Sequence, residues 1–272
     1  MSPEKTTIRS RVTALIRETE VENPERTTNG LEELFLRLAY HTYSGPIPPE
    51  YVYHVGQVKT VTEALLSHTD RTEQEWGKRY SLAHDIGRAV DLGPAHTRAG
   101  ARILYEYGYD SSLVTYTLAH HRWGLGVPIL TPDLFPVAVE EALANGNVDH
   151  IMDEIVAKRG IAALAVLLAD NSKRPVAPGS YETEIFPFNL DQAEELIGIQ
   201  IARGRYTRDS REHIIDDLGA RFLSAMIPHL EKRLDVRYAP DDIGSDVISR
   251  ARTRWPEEKE KVLAKWQEIH HE

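Results

Sequence analysis

At 272 residues, 41% hydrophobic and 27% charged, the chain has the composition of a folded globular protein with a sizeable core, about one large domain with an appendage. A formal charge of −10 argues against a nucleic-acid duplex or an anionic membrane as partner, since both need a basic footprint, yet a small phosphorylated substrate remains compatible with a cation-filled pocket. The absence of cysteine removes disulfides, thiolate ligands and cysteine nucleophiles together.

Met1 to Arg11 is polar, with no apolar signal-like stretch, and no window nears the roughly 18 apolar residues of a membrane span. The expected location is cytoplasmic, with no membrane partner. Ile8, Val12, Leu15 and Ile16 recur at helical spacing over residues 6–19, as do Leu31, Leu34, Phe35 and Leu38 over 30–43. Two N-terminal helices follow, separated by a loop from Asn23-Pro24 to Asn29-Gly30. Past Ser44-Gly45-Pro46 and Pro48-Pro49, a helix to about Ser67 places His54, Val58, Val61 and Leu65 on one stripe. His54 therefore faces the core, where a lone histidine is more often a packing residue than a ligand.

Trp76 to Val90 reads as the next helix, with Trp76, Tyr80, Ala83 and Gly87 on a face beside His84. After Asp91-Leu92-Gly93-Pro94, a helix from about Ala95 presents His96, Gly100, Ile103 and Tyr107 on one side. Gly100, lacking a side chain, lets a backbone or a metal centre come close. Asp110-Ser111-Ser112 caps a helix that carries Leu113, Tyr116, Thr117 and His120 and ends near Trp123-Gly124. Thr131-Pro132-Asp133 opens another, which stops at Asn145-Gly146. Ile161 to Lys173 is markedly apolar, with Ala163, Leu167 and Asp170 along one face; alone, Asp170 also reads as a cap beside Asn171-Ser172.

Beyond Pro175-Val176-Ala177-Pro178-Gly179 the pattern changes. Tyr181 to Phe188 is predicted extended, and Asn189 with Gln192 forms a capping box for a helix through about Ala202. Arg211 to Leu234 and Glu257 to His271 are predicted helical. The expected fold is all-α: an N-terminal segment, 1–48, packs on a metal-binding core, 49–180, followed by a helical extension, 181–272, whose helices offer a homodimer surface.

Chemistry concentrates between His84 and His121. A neutral imidazole nitrogen and a carboxylate oxygen are ligands shared by borderline divalent metals, so His84-Asp85 reads as the centre of a metal site. With two oxygens, Asp85 can bridge two cations and help make the water between them nucleophilic. Neighbouring helical residues diverge by about 100°, so both reach one centre only at a wall of packed helices. Independent packing histidines would not be expected at the inner-face position of each successive helix. His41, His68, His150, His213, His229, His270 and His271 have no such constellation and are assigned to surface or packing.

The series His54, His84-Asp85, His96, His120, Asp170 resembles the HD-domain superfamily of metal-dependent phosphohydrolases over roughly Tyr51 to Arg174. His84-Asp85-Ile86-Gly87-Arg88 is similar to the HDIGK form, with arginine for lysine, and His96 through Leu104 resembles the HxxxGaxiL segment. His120-His121-Arg122-Trp123-Gly124 resembles the HHE-type segment of the HD-GYP branch. Here, however, the triad stands as Gly126-Val127-Pro128 and Arg122 replaces glutamate, which argues against cyclic dinucleotide cleavage. Leu168 to Arg174 is similar to the end motif of symmetrical dinucleoside tetraphosphate hydrolases.

The resemblance implies an HD-type helical bundle with two divalent transition-metal ions (Fe, Mn, Co, Ni or Zn, with Mg admissible). One ion would take His54, His84, Asp85 and Asp170, and the other Asp85, His96 and His120, with His121 lining the pocket or completing the second site. A metal-activated water would attack phosphorus, and Arg88, Lys173 and Arg174 would neutralise the phosphate of a nucleotide-like or other small substrate. By itself Arg88 is equally a helix-surface arginine. The same six ligands also serve HD-type di-iron oxygenases, and a third implied role is a non-catalytic nucleotide-binding module. Imidazole and carboxylate ligands do not separate these chemistries.

Overall fold

Threonine opens both N-terminal helices. Thr7 precedes α1 (Ile8–Glu18) and Thr27 precedes α2 (Thr28–Tyr43), and each hydroxyl accepts from a backbone N–H three residues on, at Ser10 and Gly30. Pro49, which has no N–H to offer, stands before α3 (Glu50–Leu65), most of whose residues are buried. Asp70 caps α4 (Arg71–Ala83), a single 3₁₀ turn follows at Ile86–Ala89, and α5 (His96–Glu106) and α6 (Ser111–Ala119) complete a second layer. α7 runs from Val148 to Asn171, short strands β1 (Lys173–Pro175) and β2 (Thr183–Ile185) pair antiparallel, and α8 spans Asp246–His271.

The computed structural model describes residues 7–19, 24–93, 95–120, 148–175, 183–185, 228–234 and 246–271, with isolated positions at 21 and between 198 and 209. The helices expected at 131–146, 189–202 and 211–234 fall wholly or largely outside these residues, although 228–234 is helical. The fold is all-α, and strand among the described residues is limited to the β1–β2 pair. No described helix is long and apolar enough to cross a membrane.

Three helix boundaries differ from expectation. The helix expected from Trp76 to Val90 begins at Arg71, where Asp70 caps it, and ends at Ala83, because Asp85 leaves helical geometry at φ −108°, ψ 10°. The apolar helix expected from Ile161 is the second half of α7, which starts at Val148 and kinks at Gly160, where φ is 74°. After the kink, the Glu73 carboxylate of α4 accepts from the Ala162 N–H at 2.9 Å, a cap supplied by a neighbouring helix. The terminal helix expected from Glu257 starts at Asp246 and runs through Pro256. Burial of Val247, Ile248 and Ala251 on its first turns offsets the roughly 3 kcal/mol that an interior proline costs.

α3 packs against α4, α7 and α8, so it lies at the centre of the bundle. Trp266 of α8 is fully buried, sets its ring edge-to-face on Tyr40, and donates its indole N–H to the Gly45 carbonyl at 2.8 Å. Glu32 of α2 receives both Lys59 of α3 and Lys265 of α8. Burial pushes Glu32 up, but the two lysines outweigh it and hold the carboxyl below its ordinary value.

Two outcomes follow. Trp266→Ala is expected to cost about 3–5 kcal/mol in urea unfolding, against about 1–2 kcal/mol for Trp266→Phe, which keeps most of the volume and loses the indole N–H. A carboxyl lowered by folding stabilises above its unfolded pKa of about 4.5, and that stability is lost as pH falls through the lowered value. Lys265→Met should therefore reduce stability at pH 7 and flatten its decline below about pH 4.5, as read by thermal melts across pH.

Candidate metal centre

The site begins with a close approach of two backbones. A Cβ on Gly87 would lie 1.9 Å from the His96 carbonyl oxygen and 2.4 Å from the Gly100 nitrogen. A Cβ on Gly100 would in turn meet Thr117 at 2.9 Å and the Gly87 nitrogen at 3.1 Å. Only glycine at both positions lets the 3₁₀ turn, α5 and α6 come this near. The space that Gly100 frees is thus taken by backbone and by Thr117.

That contact delivers residues from successive elements to one point. His54 comes from the first turns of α3, His84 from the C-cap of α4, Asp85 from the turn after it, His96 from the first position of α5, and His120 from the C-cap of α6. All five are buried, and Asp170, near the end of α7, is about one-quarter exposed. Because α4 ends at His84, the divergence expected of neighbouring helical residues does not arise: Asp85 turns back toward His84.

Backbone carbonyls fix three of the rings. His84 donates its Nδ1–H to Ser81 at 2.7 Å, His96 to Gly93 at 2.6 Å, and His120 to Thr117 at 2.7 Å. A carbonyl only accepts, so each Nδ1 carries the proton and each Nε2 directs its lone pair inward. The inward atoms fall into two groups that share Asp85. Around its Oδ2 lie His54 Nε2 at 3.3 Å and His84 Nε2 at 3.6 Å, with the two Nε2 atoms 3.2 Å apart. Asp170 Oδ1 joins this group, 3.1 Å from His54 and 3.8 Å from His84. Around Oδ1 lie His96 Nε2 at 3.1 Å and His120 Nε2 at 3.8 Å, themselves 3.4 Å apart.

Ligand bonds of about 2.1 Å at tetrahedral or octahedral angles place neighbouring donors roughly 3.0–3.4 Å apart. The described groups are close to that spacing, and within each triad (His54, His84 and Asp85; Asp85, His96 and His120) the donor atoms all lie within 4.8 Å of one another. Asp85 Oδ1 is buried without a hydrogen-bond partner. An orphaned carboxylate oxygen facing inward-directed imidazole lone pairs is the pattern a cation would satisfy. The donor set, nitrogen and carboxylate oxygen without sulfur, fits divalent transition metals.

Electrostatics leave His84 and Asp85 in ligating form. Burial drives His84 down to about 3, despite the opposing charges of Asp85 and Asp170, so the ring is neutral near pH 7. Burial would raise the Asp85 carboxyl, but His84 and the Arg88 guanidinium hold it well below the usual carboxylate range. Arg88 donates from Nε to Asp85 Oδ2 at 2.5 Å and from a terminal nitrogen to the Leu92 carbonyl at 3.3 Å. It is therefore joined to the site through Asp85 rather than lying on an open helix face.

The other expected residues divide. Lys173 and Arg174 form β1, immediately beyond Asp170, paired in register with Ile185 and Glu184. His121 lies outside the described residues. Sequence analysis missed Tyr51, whose buried hydroxyl has no hydrogen-bond partner and whose phenol is raised, first by burial and then by the nearby charges of Tyr43 and Asp85. Its only signal in sequence is the i, i+3 spacing to His54.

The chain is 31% identical over 118 residues to Ribonuclease Y of Fervidobacterium nodosum, which covers 37% of this chain and 22% of that protein. It is 40% identical over 72 residues to Ribonuclease Y of Thermosipho melanesiensis, covering 26% of this chain and 14% of the relative. The chain thus spans less than a quarter of the length of these curated relatives. No protein-family profile matches it, and no solved structure matches it.

Gly87→Ala tests the close approach. The added Cβ must move α5 and His96, with an expected loss of about 1–3 kcal/mol in stability and roughly 10–100-fold in affinity for Mn²⁺ by calorimetry. Gly198→Ala, where a Cβ meets nothing within 4 Å, should leave both unchanged.

Proposed function

We propose that this protein is a metal-dependent phosphohydrolase of the HD type that cleaves a phosphate ester or anhydride of a nucleotide-like or other small phosphorylated substrate. The single observation that carries this reading is Asp85: one carboxylate, fully buried, with one oxygen toward His54 and His84 and the other, orphaned, toward His96 and His120. Cations held by the six residues would act as Lewis acids and lower the pKa of a bound water enough for attack on phosphorus.

The chain's own residues have separable tasks. Ser81, Gly93 and Thr117 hold three rings in the tautomer that leaves Nε2 open, so no ring must turn to bind. Arg88 keeps Asp85 ionised and retains further N–H donors for a phosphate oxygen beyond the two that it spends on Asp85 and Leu92. Tyr51 offers a hydroxyl whose hydrogen bond is still to be made. Lys173 and Arg174, just past Asp170, are the further candidates for neutralising phosphate.

A second reading has its own support. Both relatives carry the name ribonuclease, which points to the phosphodiester of RNA rather than to a small molecule. Against a duplex stands the formal charge of −10, so a short single strand is the form of RNA this reading favours.

One experiment tests both. Metal content is measured by plasma mass spectrometry on wild type and Asp85→Ala, alongside phosphate release from mononucleotides and dinucleoside polyphosphates and cleavage of a short RNA. Expected are about two metal ions per wild-type chain, loss of metal in the variant and a fall in turnover of roughly 10³-fold. Cleavage of RNA without turnover of the small substrates would select the second reading. Absence of bound metal in wild type, even after Mn²⁺, Fe²⁺ or Zn²⁺ is supplied, would overturn both.

A further inference from the structure

Along α3, the helix that carries His54, lies a cleft of about 250 Å³ whose walls come from three separate parts of the chain: Pro48, Glu50, Tyr53 and Gln57 from α3 and its approach, Thr183 from β2, and Trp255 and Lys259 from α8. We infer that this cleft is a nucleobase subsite, which holds the base of a nucleotide whose phosphate reaches the His/Asp centre. The inference rests on the phosphohydrolase reading for the second half of that statement only.

Position comes first. Glu50, Tyr53 and Gln57 are spaced i, i+3 and i+7, so they form one stripe along α3. His54 borders that stripe, one turn after Glu50 and three residues before Gln57, which puts each of the three cleft residues within about 6 Å of a proposed metal ligand along the helix axis. Glu50 also lies close enough to Arg88 for its charge to act on the guanidinium, which links this wall of the cleft electrostatically to the Asp85–Arg88 pair.

The walls suit a flat heteroaromatic ring. Tyr53 and Trp255 stand edge-to-face, with centroids 6.5 Å apart and planes at 86°, and so form a right-angled aromatic corner. A base can stack on one face and meet the other with its edge. Lys259 carries its ammonium 5.4 Å from the Tyr53 centroid, at the same corner, where a cation attracts the electron-rich face or acceptor atoms of a base. The rear wall of Trp255 is fixed as well, because its ring closes on Gly56 at a distance that leaves no slack for a Cβ.

The polar edge is pre-oriented. Gln57 donates from Nε2 to the Thr183 carbonyl at 2.9 Å, and its Oε1 accepts from the Thr183 hydroxyl at 2.8 Å. An amide has two donors and two acceptor lone pairs, so one of each remains after this pair of hydrogen bonds to β2. A fixed amide with one donor and one acceptor to spare is the group that pairs with a base edge. Cleft volume, just below the usual range for drug-sized ligand pockets, matches a base rather than a folded polymer.

The test uses the full chain and ligands without phosphate. Adenosine, guanosine, cytidine and uridine are titrated by calorimetry with chelator present, so that the metal centre makes no contribution. Expected is binding of at least one nucleoside, weakened about tenfold or more in Trp255→Ala and in Tyr53→Leu, the scale of one lost base–aromatic stack. The half-buried Tyr53 guards against a fold defect in the Trp255 variant, and thermal melts check both. Binding of no nucleoside, or equal binding by wild type and both folded variants, overturns the subsite. Phosphate release from nucleotides combined with no nucleoside binding overturns the cleft and leaves the hydrolase standing. Nucleoside binding without any phosphate release supports the cleft and overturns the hydrolase alone.

Discussion

A buried convergence of three imidazole lone pairs on one carboxylate, whose Oδ1 has no hydrogen-bond partner, is the constraint on which the rest of this structure depends. Three backbone carbonyls accept hydrogen bonds from the Nδ1–H groups of His84, His96 and His120, and the Nε2 lone pairs converge on a carboxylate held in its ionised form. Such a cluster repels itself unless positive charge is supplied, and Arg88 reaches only one oxygen of Asp85. The helices around the cluster must therefore hold it together by packing, and they are arranged to do so.

Much of that packing is invested at one backbone crossing. Gly87 and Gly100 allow the turn after α4 to lie against α5, and Thr117 of α6 closes over Gly100. Since His84 and Asp85 lead into this turn while His96 and His120 flank it, the crossing sets the distance between the two donor groups. Tyr80 and Tyr116, with ring centroids 4.3 Å apart, pack α4 onto α6 behind the histidines. Rigid elements carry every donor in the cluster except Asp85, whose freedom is removed by Arg88 and by the turn itself.

α8 gives the central helix its second role. Glu32 joins α2 to both α3 and α8 through Lys59 and Lys265, and Trp266 anchors the far end of α8 beneath Gly45. The near end then sets Trp255 and Lys259 beside Tyr53. One face of α3 thus carries the candidate ligand His54, and the adjoining stripe forms a wall of the cleft. Residues far along the chain, Trp255 and Lys259, complete that wall.

Sequence alone determined that the chain is helical, since apolar residues recur every three to four positions, and it singled out His54, His84, Asp85, His96, His120 and Asp170 because chemistry-bearing side chains sat at the inner position of successive helices. It could not place the break after Ala83: Trp76, Tyr80, Ala83 and Gly87 keep helical period through a point where the backbone turns away, and only contact with α5 makes that turn favourable. Nor could it place the start of α8, where Pro256 resembles a boundary until burial of Val247, Ile248 and Ala251 outweighs it. Tyr51, the carbonyls that orient the rings, and the corner formed by Tyr53 and Trp255 were decided by tertiary structure alone. Periodicity reports which face of a helix is apolar, whereas these features depend on which other helix meets that face and how closely.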